Sequence, residues 1–320
     1  MTLFSILFVL LIEQFRPLRA DNPIYAAIRV FAARIEHSFN AGRPEHGRMA
    51  WLVMISVLVV PTLLIYWLLA LVGPLAQFVW SVLIVYLTMG FRHYSHYFTA
   101  IQVALNNGEL SEARDLLAEW TGQDVRDLDI HDIARLSVEN ALITTHRHVF
   151  GVFLLLLLPI GPAGAVIYRL AEYLARAWTE PEPEHLRQES FGIFAKTAFD
   201  WIDWLPARLT AVAFAIVGNF EDAIYAWRNF AHRWASHTTG IILSAGGGAM
   251  GVRLGTPAEY APAVPEVDIT RYESSSPELE ILPGEEPSAR SLQSTVGLIW
   301  RALLLWILLL VLVSVANWLG

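Results

Sequence analysis

Two long apolar runs stand out along the chain, Met49–Val72 and Val296–Leu319. Each exceeds the roughly 20 apolar residues that cross a bilayer as a helix. The second is interrupted only by Arg301 near its start. Both carry several Trp, a side chain that favours the membrane–water boundary. A shorter apolar run opens the chain and ends at Glu13. It lacks a basic leading segment and an A-x-A site, so it predicts a retained helix rather than a cleaved signal. Gly73-Pro74 separates the first long run from another, Gln77–Met89, and the two predict a helical hairpin.

Between these runs the pattern turns amphipathic or polar. Ile24–Phe39 has apolar residues at helical spacing (Ile24, Ala27, Ile28, Phe31, Ile35) and predicts a helix lying on the membrane surface. Residues 14–48 hold six arginines against Asp21, Glu36 and Glu45, which places them on the cytoplasmic side. Residues 91–148 are polar, and two soluble helices are expected there, one capped near Ser111 and one over Asp132–Leu142. The apolar Phe150–Leu158 meets Pro159, Gly161, Pro162 and Gly164 before Ala165–Leu174 resumes, with Tyr168, Arg169 and Glu172 embedded in it. That pattern predicts two half-helices or a re-entrant hairpin, tolerated where protein covers the freed backbone. Thr256–Arg290 has six prolines with many Glu and Ser and cannot bury a core.

The fold class is therefore all-α: a polytopic integral membrane protein with about four membrane-spanning helices, one broken or re-entrant helix, and soluble or amphipathic helices. The expected organisation is a helical membrane domain over 1–255, a Pro-rich acidic linker over 256–295 and a last transmembrane helix over 296–320. Composition agrees, with 55% hydrophobic and only 16% charged residues. A net charge of −8 argues against nucleic acid and leaves the lipid bilayer as the expected partner. The absence of cysteine excludes disulfides, thiolate metal sites and cysteine nucleophiles.

The most charged apolar stretch is Phe199–Trp227. Asp200 and Asp203 are three apart, Arg208 follows one to two turns on, and Glu221 and Asp222 come after an apolar run. Carboxylates with an arginine suit Mg²⁺ and a phosphate. An ion-pair network anchoring a helix end makes the same pattern. His93 and His96 share a helical face as metal ligands can, without an identifiable third ligand. His146 and His148 flank Arg147 before an apolar run and read as a basic cluster near anionic headgroups. Gly246, Gly248 and Gly251 fit G-x-G-x-x-G without a βαβ context. With Gly247 and Arg253 they form a candidate loop for an anion, the alternative being tight packing.

Taken together, these segments resemble the CobD/CbiB superfamily of membrane proteins, from residue 1 to about 255. The resemblance is carried by MTLFSILFVLLIEQF, HYSHYFTA, Ala113–Asp129, Gly161–Arg169, Trp204–Ala211 and SAGGGAMGVRLG. The superfamily includes adenosylcobinamide-phosphate synthases and AmpE, an inner-membrane protein associated with β-lactamase induction. Aligned with the synthases, acidic or amide positions fall on Ile143, Thr144, Arg147, Glu172 and Ala175. Asp203-Trp204 looks like the Asp-Trp of AmpE.

These departures imply the AmpE-like branch: a multi-pass protein of the bacterial inner membrane, without intact synthase motifs, that modulates signalling linked to cell-wall state through a cell-wall partner. The alternative is a synthase joining adenosylcobyric acid, a corrinoid ligand, to an aminopropanol derivative, and only this reading brings in Mg²⁺ and ATP. A membrane scaffold with structural charges is the third. No residue is assigned a catalytic role. Asp124, Glu139, Asp200, Asp203, Arg208, Glu221 and Asp222 are the candidate polar pocket.

Overall fold

The computed structural model describes residues 2–15, 22–40, 44–89, 91–179, 190–255 and 283–319. Regular structure among them is helical, apart from one parallel bridge between Val252 and Glu285. The chain divides into two compact units.

The first unit comprises Met1–Tyr94, Thr145–Pro206 and Leu310–Gly320. Its helices are α1 (Thr2–Phe15), α2 (Pro23–Phe39), α3 (Pro44–Val72) and α4 (Pro74–Thr88), with α8 (Gly151–Leu156), α9 (Ala163–Ala177) and α10 (Ser190–Ile202) returning later in the chain. Asn22 opens α2 by accepting the Ile24 N–H at 2.9 Å, and Pro23 supplies a preset first turn. Gly73 adopts a φ of 144°, closed to side chains, and Pro74 then starts α4. The hairpin expected over 49–89 is present, with the Trp80 indole N–H donating to the Thr62 carbonyl at 3.2 Å. Met54 of α3, Leu170 and Leu174 of α9, and Phe191 and Ala195 of α10 share one apolar core.

The break between α8 and α9 falls at residues 157–162, where Pro and Gly crowd the sequence. The two helices pack tightly because Gly164 has no Cβ. A methyl group there would sit 2.0 Å from the Leu155 carbonyl oxygen.

The second unit comprises Ser95–Thr144 and Ala207–Leu309. It contains most of α5 (Phe91–Asn107), α6 (Leu110–Thr121), α7 (Ile130–Thr145), most of α11 (Trp204–Val217), α12 (Phe220–Phe230), α13 (His237–Met250) and most of α14 (Ala289–Leu319). The two polar helices expected after residue 109 are α6 and α7. Glu109 rather than Ser111 stands at the α6 N-cap, and the Asp129 carboxylate accepts the Asp132 N–H in the first turn of α7. Ala211, Ala231, Ile241 and Ala245 pack together as a core of small residues, with Trp227 against them.

Two helices are long and apolar enough to cross a membrane, Glu45–Val72 and Ala289–Ala316. Their large apolar side chains, such as Leu64, Trp67, Leu68, Leu308 and Leu312, point outward. Fewer helices pass this test than the expected four. α1 and α4 have 14 and 15 residues. At ~1.5 Å per residue, helices of that length reach only about 21–23 Å of a roughly 30 Å hydrocarbon core. The linker expected over 256–295 falls largely on 256–282, outside the described residues. Ala289–Leu319 is helix.

Candidate functional site

The polar centre of the first unit begins where α7 ends. Residues His146–Phe150 form a π-helical turn, and the Gly151 N–H closes onto the His146 carbonyl. Such turns insert extra width into a helix and occur often at functional sites. Here the turn carries His146, wholly buried, and Arg147, whose guanidinium carbon lies 5.9 Å from the centre of the Phe199 ring.

His146 meets two partners from other helices. Its Nε2 is 2.8 Å from Oδ1 of Asp203, and the Tyr168 hydroxyl donates to the same oxygen at 2.7 Å. The Tyr168 oxygen is 3.2 Å from His146 Nε2. A carboxylate at 2.8 Å calls for a donor, so Nε2 carries a proton. Asp203 sits in the break between α10 and α11, its N–H bonded to the Phe199 carbonyl at 2.7 Å. Gly151 makes the meeting possible, since a Cβ there would lie 2.0 Å from the Tyr168 ring. All three side chains are buried, so the trio holds three helices in register.

One turn beyond Tyr168 lies Glu172, also buried. Arg169 Nη1 donates to its Oε2 at 3.0 Å, while Arg147 Nη1 and Arg176 Nε each approach Oε1 to 3.6 Å. One carboxylate thus stands among three guanidiniums.

The expected pocket residues are distributed differently. Asp203 belongs to the trio, and Asp200 is half-buried on the last turn of α10. Because α10 stops at Ile202, the two acids do not continue one helical face. Arg208 lies half-buried on α11 in the second unit. Also in that unit, Glu139 accepts the Gly255 N–H and lies 3.5 Å from Arg135, which is bound to Asp132 at 2.7 Å. Asp124 is exposed and bound by Arg126 two residues on, and this guanidinium holds its carboxyl down to about 2. Glu221 and Asp222 occupy the exposed first turn of α12, where helix dipole and the Asn219 cap favour acids.

Gly246, Gly247 and Gly248 are buried inside α13 and are helix rather than loop. Gly248 faces α12, where a Cβ would lie 2.5 Å from the Asp222 carbonyl oxygen. Gly251 ends α13 with φ 68°, and Arg253 is tied to the 283–287 segment through the Gly284 and Glu285 carbonyls. The His93 side chain lies outside the described residues, and His96 packs on the Tyr97 ring at 4.0 Å between centroids. Among the described residues no three His, Asp or Glu gather as a metal site.

A family model described as CobD/Cbib protein matches residues 15–280. The chain belongs to the CobD/CbiB family. It is 34% identical over 301 residues to the "Cobalamin biosynthesis protein CobD" of Stutzerimonas stutzeri (strain A1501), covering 92% of this chain and 91% of that protein. A protein of the same name from Chromobacterium violaceum is 34% identical over 213 residues, 67% of each chain. Another, from Desulfotalea psychrophila, is 28% identical over 243 residues, 68% of this chain and 73% of that protein. No solved structure matches.

The kinship overturns the expected AmpE-like signalling role, because a relative matched over nine-tenths of this chain, and others over two thirds of it, carry a cobalamin biosynthesis name. The preference for a non-enzyme loses its support with it. That expectation counted missing acids one position at a time. In the fold, Arg147 and Glu172, two of the departing positions, face each other in one cluster. That pairing is a spatial relation, which a position-by-position comparison does not contain.

Sequence reasoning also missed His146, Tyr168 and Glu172 as site residues. His146 is no headgroup-facing base but a buried partner of Asp203. One signal was legible: Arg169, Glu172 and Arg176 recur at spacings of three and four within an apolar helix, which puts them on one face.

Proposed function

We propose that this chain is an adenosylcobinamide-phosphate synthase of cobalamin biosynthesis. In this reading it is a multi-pass protein of the bacterial inner membrane that joins the carboxylate of adenosylcobyric acid to the amine of an aminopropanol derivative. The observation that carries the reading is the 34% identity to a cobalamin biosynthesis protein CobD across nearly the whole of both chains. Activation of the carboxylate would draw on ATP, with Mg²⁺ arriving as the nucleotide's counterion. In this reading the ion belongs to the nucleotide substrate. Within the first unit, the buried His146–Tyr168–Asp203 trio positions the helices, and the half-open arginines around Glu172 are the groups that face reactants. α3 and α14 provide two membrane crossings, and the shorter α1 and α4 cross by local thinning of the bilayer.

The test is complementation. The full chain, expressed in a bacterium deleted for its own synthase, should restore corrinoid-dependent growth and amide-linked aminopropanol in extracted corrinoids. Failure to do so, with the protein present in the membrane fraction at normal abundance, would overturn the reading.

A further inference from the structure

α2 is held to the α3–α4 hairpin at both ends. The Tyr25 hydroxyl donates to the Leu87 carbonyl in the last turn of α4, where a helix leaves such oxygens without an intrahelical partner. At the other end, only residues 40–43 separate Phe39 from Pro44, the first residue of α3. In the hairpin, the start of α3 and the end of α4 lie on the same side. α3 has 29 residues and α4 has 15, so α3 continues roughly 20 Å past the end of α4. The 17 residues of α2, about 25 Å of helix, match that extension. Ala32 and Ile35 pack there against Ala50 and Met54 of α3.

The outer face of α2 is of a different kind. At 100° per residue Val30 points away from the packed side, with Arg29 and Arg34 flanking it. Val30 is 65% exposed, and both arginines are exposed. Among the described residues neither arginine has an ion pair or a hydrogen bond. Glu36 is the one acid of α2 and is half-buried. In the first turns of α3, exposed Glu45 and Arg48 offset each other, so the two α2 arginines remain as net charge. An apolar side chain between two cationic ones suits the boundary of a lipid layer with an anionic surface.

We infer that the outer face of α2 contacts the lipid headgroup layer and selects anionic lipid through Arg29 and Arg34. Tyr25 fixes the depth of the contact, because it ties α2 to the point where the apolar α4 stops. The inference rests on the membrane part of the proposed function and is independent of the synthase chemistry.

The full chain is purified in a mild detergent and offered equal amounts of phosphatidylglycerol and phosphatidylcholine with the same acyl chains. Native mass spectrometry counts the lipids it retains. The wild type should prefer phosphatidylglycerol, and the preference should shrink as ionic strength is raised. R29Q and R34Q should each lower it about fivefold, the worth of one arginine near an anionic surface. R29K and R34K should leave it unchanged, because charge rather than fork geometry draws the headgroup. R126Q, on an exposed turn of the second unit, should also leave it unchanged. Retention of phosphatidylcholine should be the same in every variant, which separates a lost contact from a lost fold. Equal retention of the two lipids by the wild type, or a preference that survives the R29Q/R34Q double variant, would overturn the inference. Carbonate extraction of cell membranes reports separately on embedding. Release of the protein sinks the membrane reading, and an intact phosphatidylglycerol preference then leaves the headgroup contact standing.

Discussion

His146 Nε2 lies 2.8 Å from Asp203 Oδ1, although the residues are 57 positions apart in the chain. Both are buried, and Tyr168 donates to the same oxygen. Removing the carboxylate strands two buried donors at once. Asp203→Ala is therefore expected to cost about 3–5 kcal/mol, the range for breaking a buried pair on one side. Asp203→Asn keeps an acceptor and should cost about 1–3 kcal/mol. Denaturant midpoints in detergent check the order. Equal stability of Asp203→Ala and the wild type would show that the trio does not hold the unit together.

Gly248 and Gly297 are both helical glycines with opposite surroundings. A Cβ on Gly248 meets the Asp222 carbonyl at 2.5 Å and Ala223 Cα at 2.8 Å, which are backbone atoms that cannot swing aside. Gly248→Ala should destabilise by about 1–3 kcal/mol through overpacking. Gly297 has nothing within 4 Å of the added methyl, and Gly297→Ala should stabilise by about 0.5–1 kcal/mol through helix propensity. Thermal midpoints of the two variants should move in opposite directions.

Asp124 offers a pH test on an exposed turn. Its carboxyl is held down to about 2 by the hydrogen bonds and charge of Arg126. A depressed carboxyl stabilises the fold above its unfolded value near 3.8, and that contribution fades as pH falls from there toward 2. Arg126→Gln should raise the carboxyl toward the ordinary Asp range, the backbone N–H of residue 126 keeping part of the depression. The carboxyl carbon shift of labelled Asp124, titrated by NMR, would follow it. The change should leave neutral-pH behaviour untouched and shrink at high salt.

Leu64 on α3 is 58% exposed in a helix of membrane-spanning length. If lipid covers that face, Leu64→Arg places a charge in hydrocarbon at a cost of about 2.5–3.5 kcal/mol on the insertion scale. The variant should then be depleted from the membrane fraction. Retention at the wild-type level would show that α3 is not lipid-facing at this position.

The helices themselves were legible in the chain. Length and sustained apolarity mark α3 and α14, and Gly73-Pro74 marks the turn between α3 and α4. The Pro and Gly cluster at 159–164 marks the α8–α9 break. These are local properties: backbone preference and the cost of polar groups in an apolar run act on neighbours in sequence. The site is different. That His146 belongs to Asp203, that Arg147 belongs to Glu172, and that the glycine triplet is a packing surface follow from which helices lie side by side. A charged residue has the same local pattern whether it ends in lipid headgroups, in a salt bridge or against a substrate. Only the partner across the helix–helix contact decides between them, and that partner is chosen by tertiary packing.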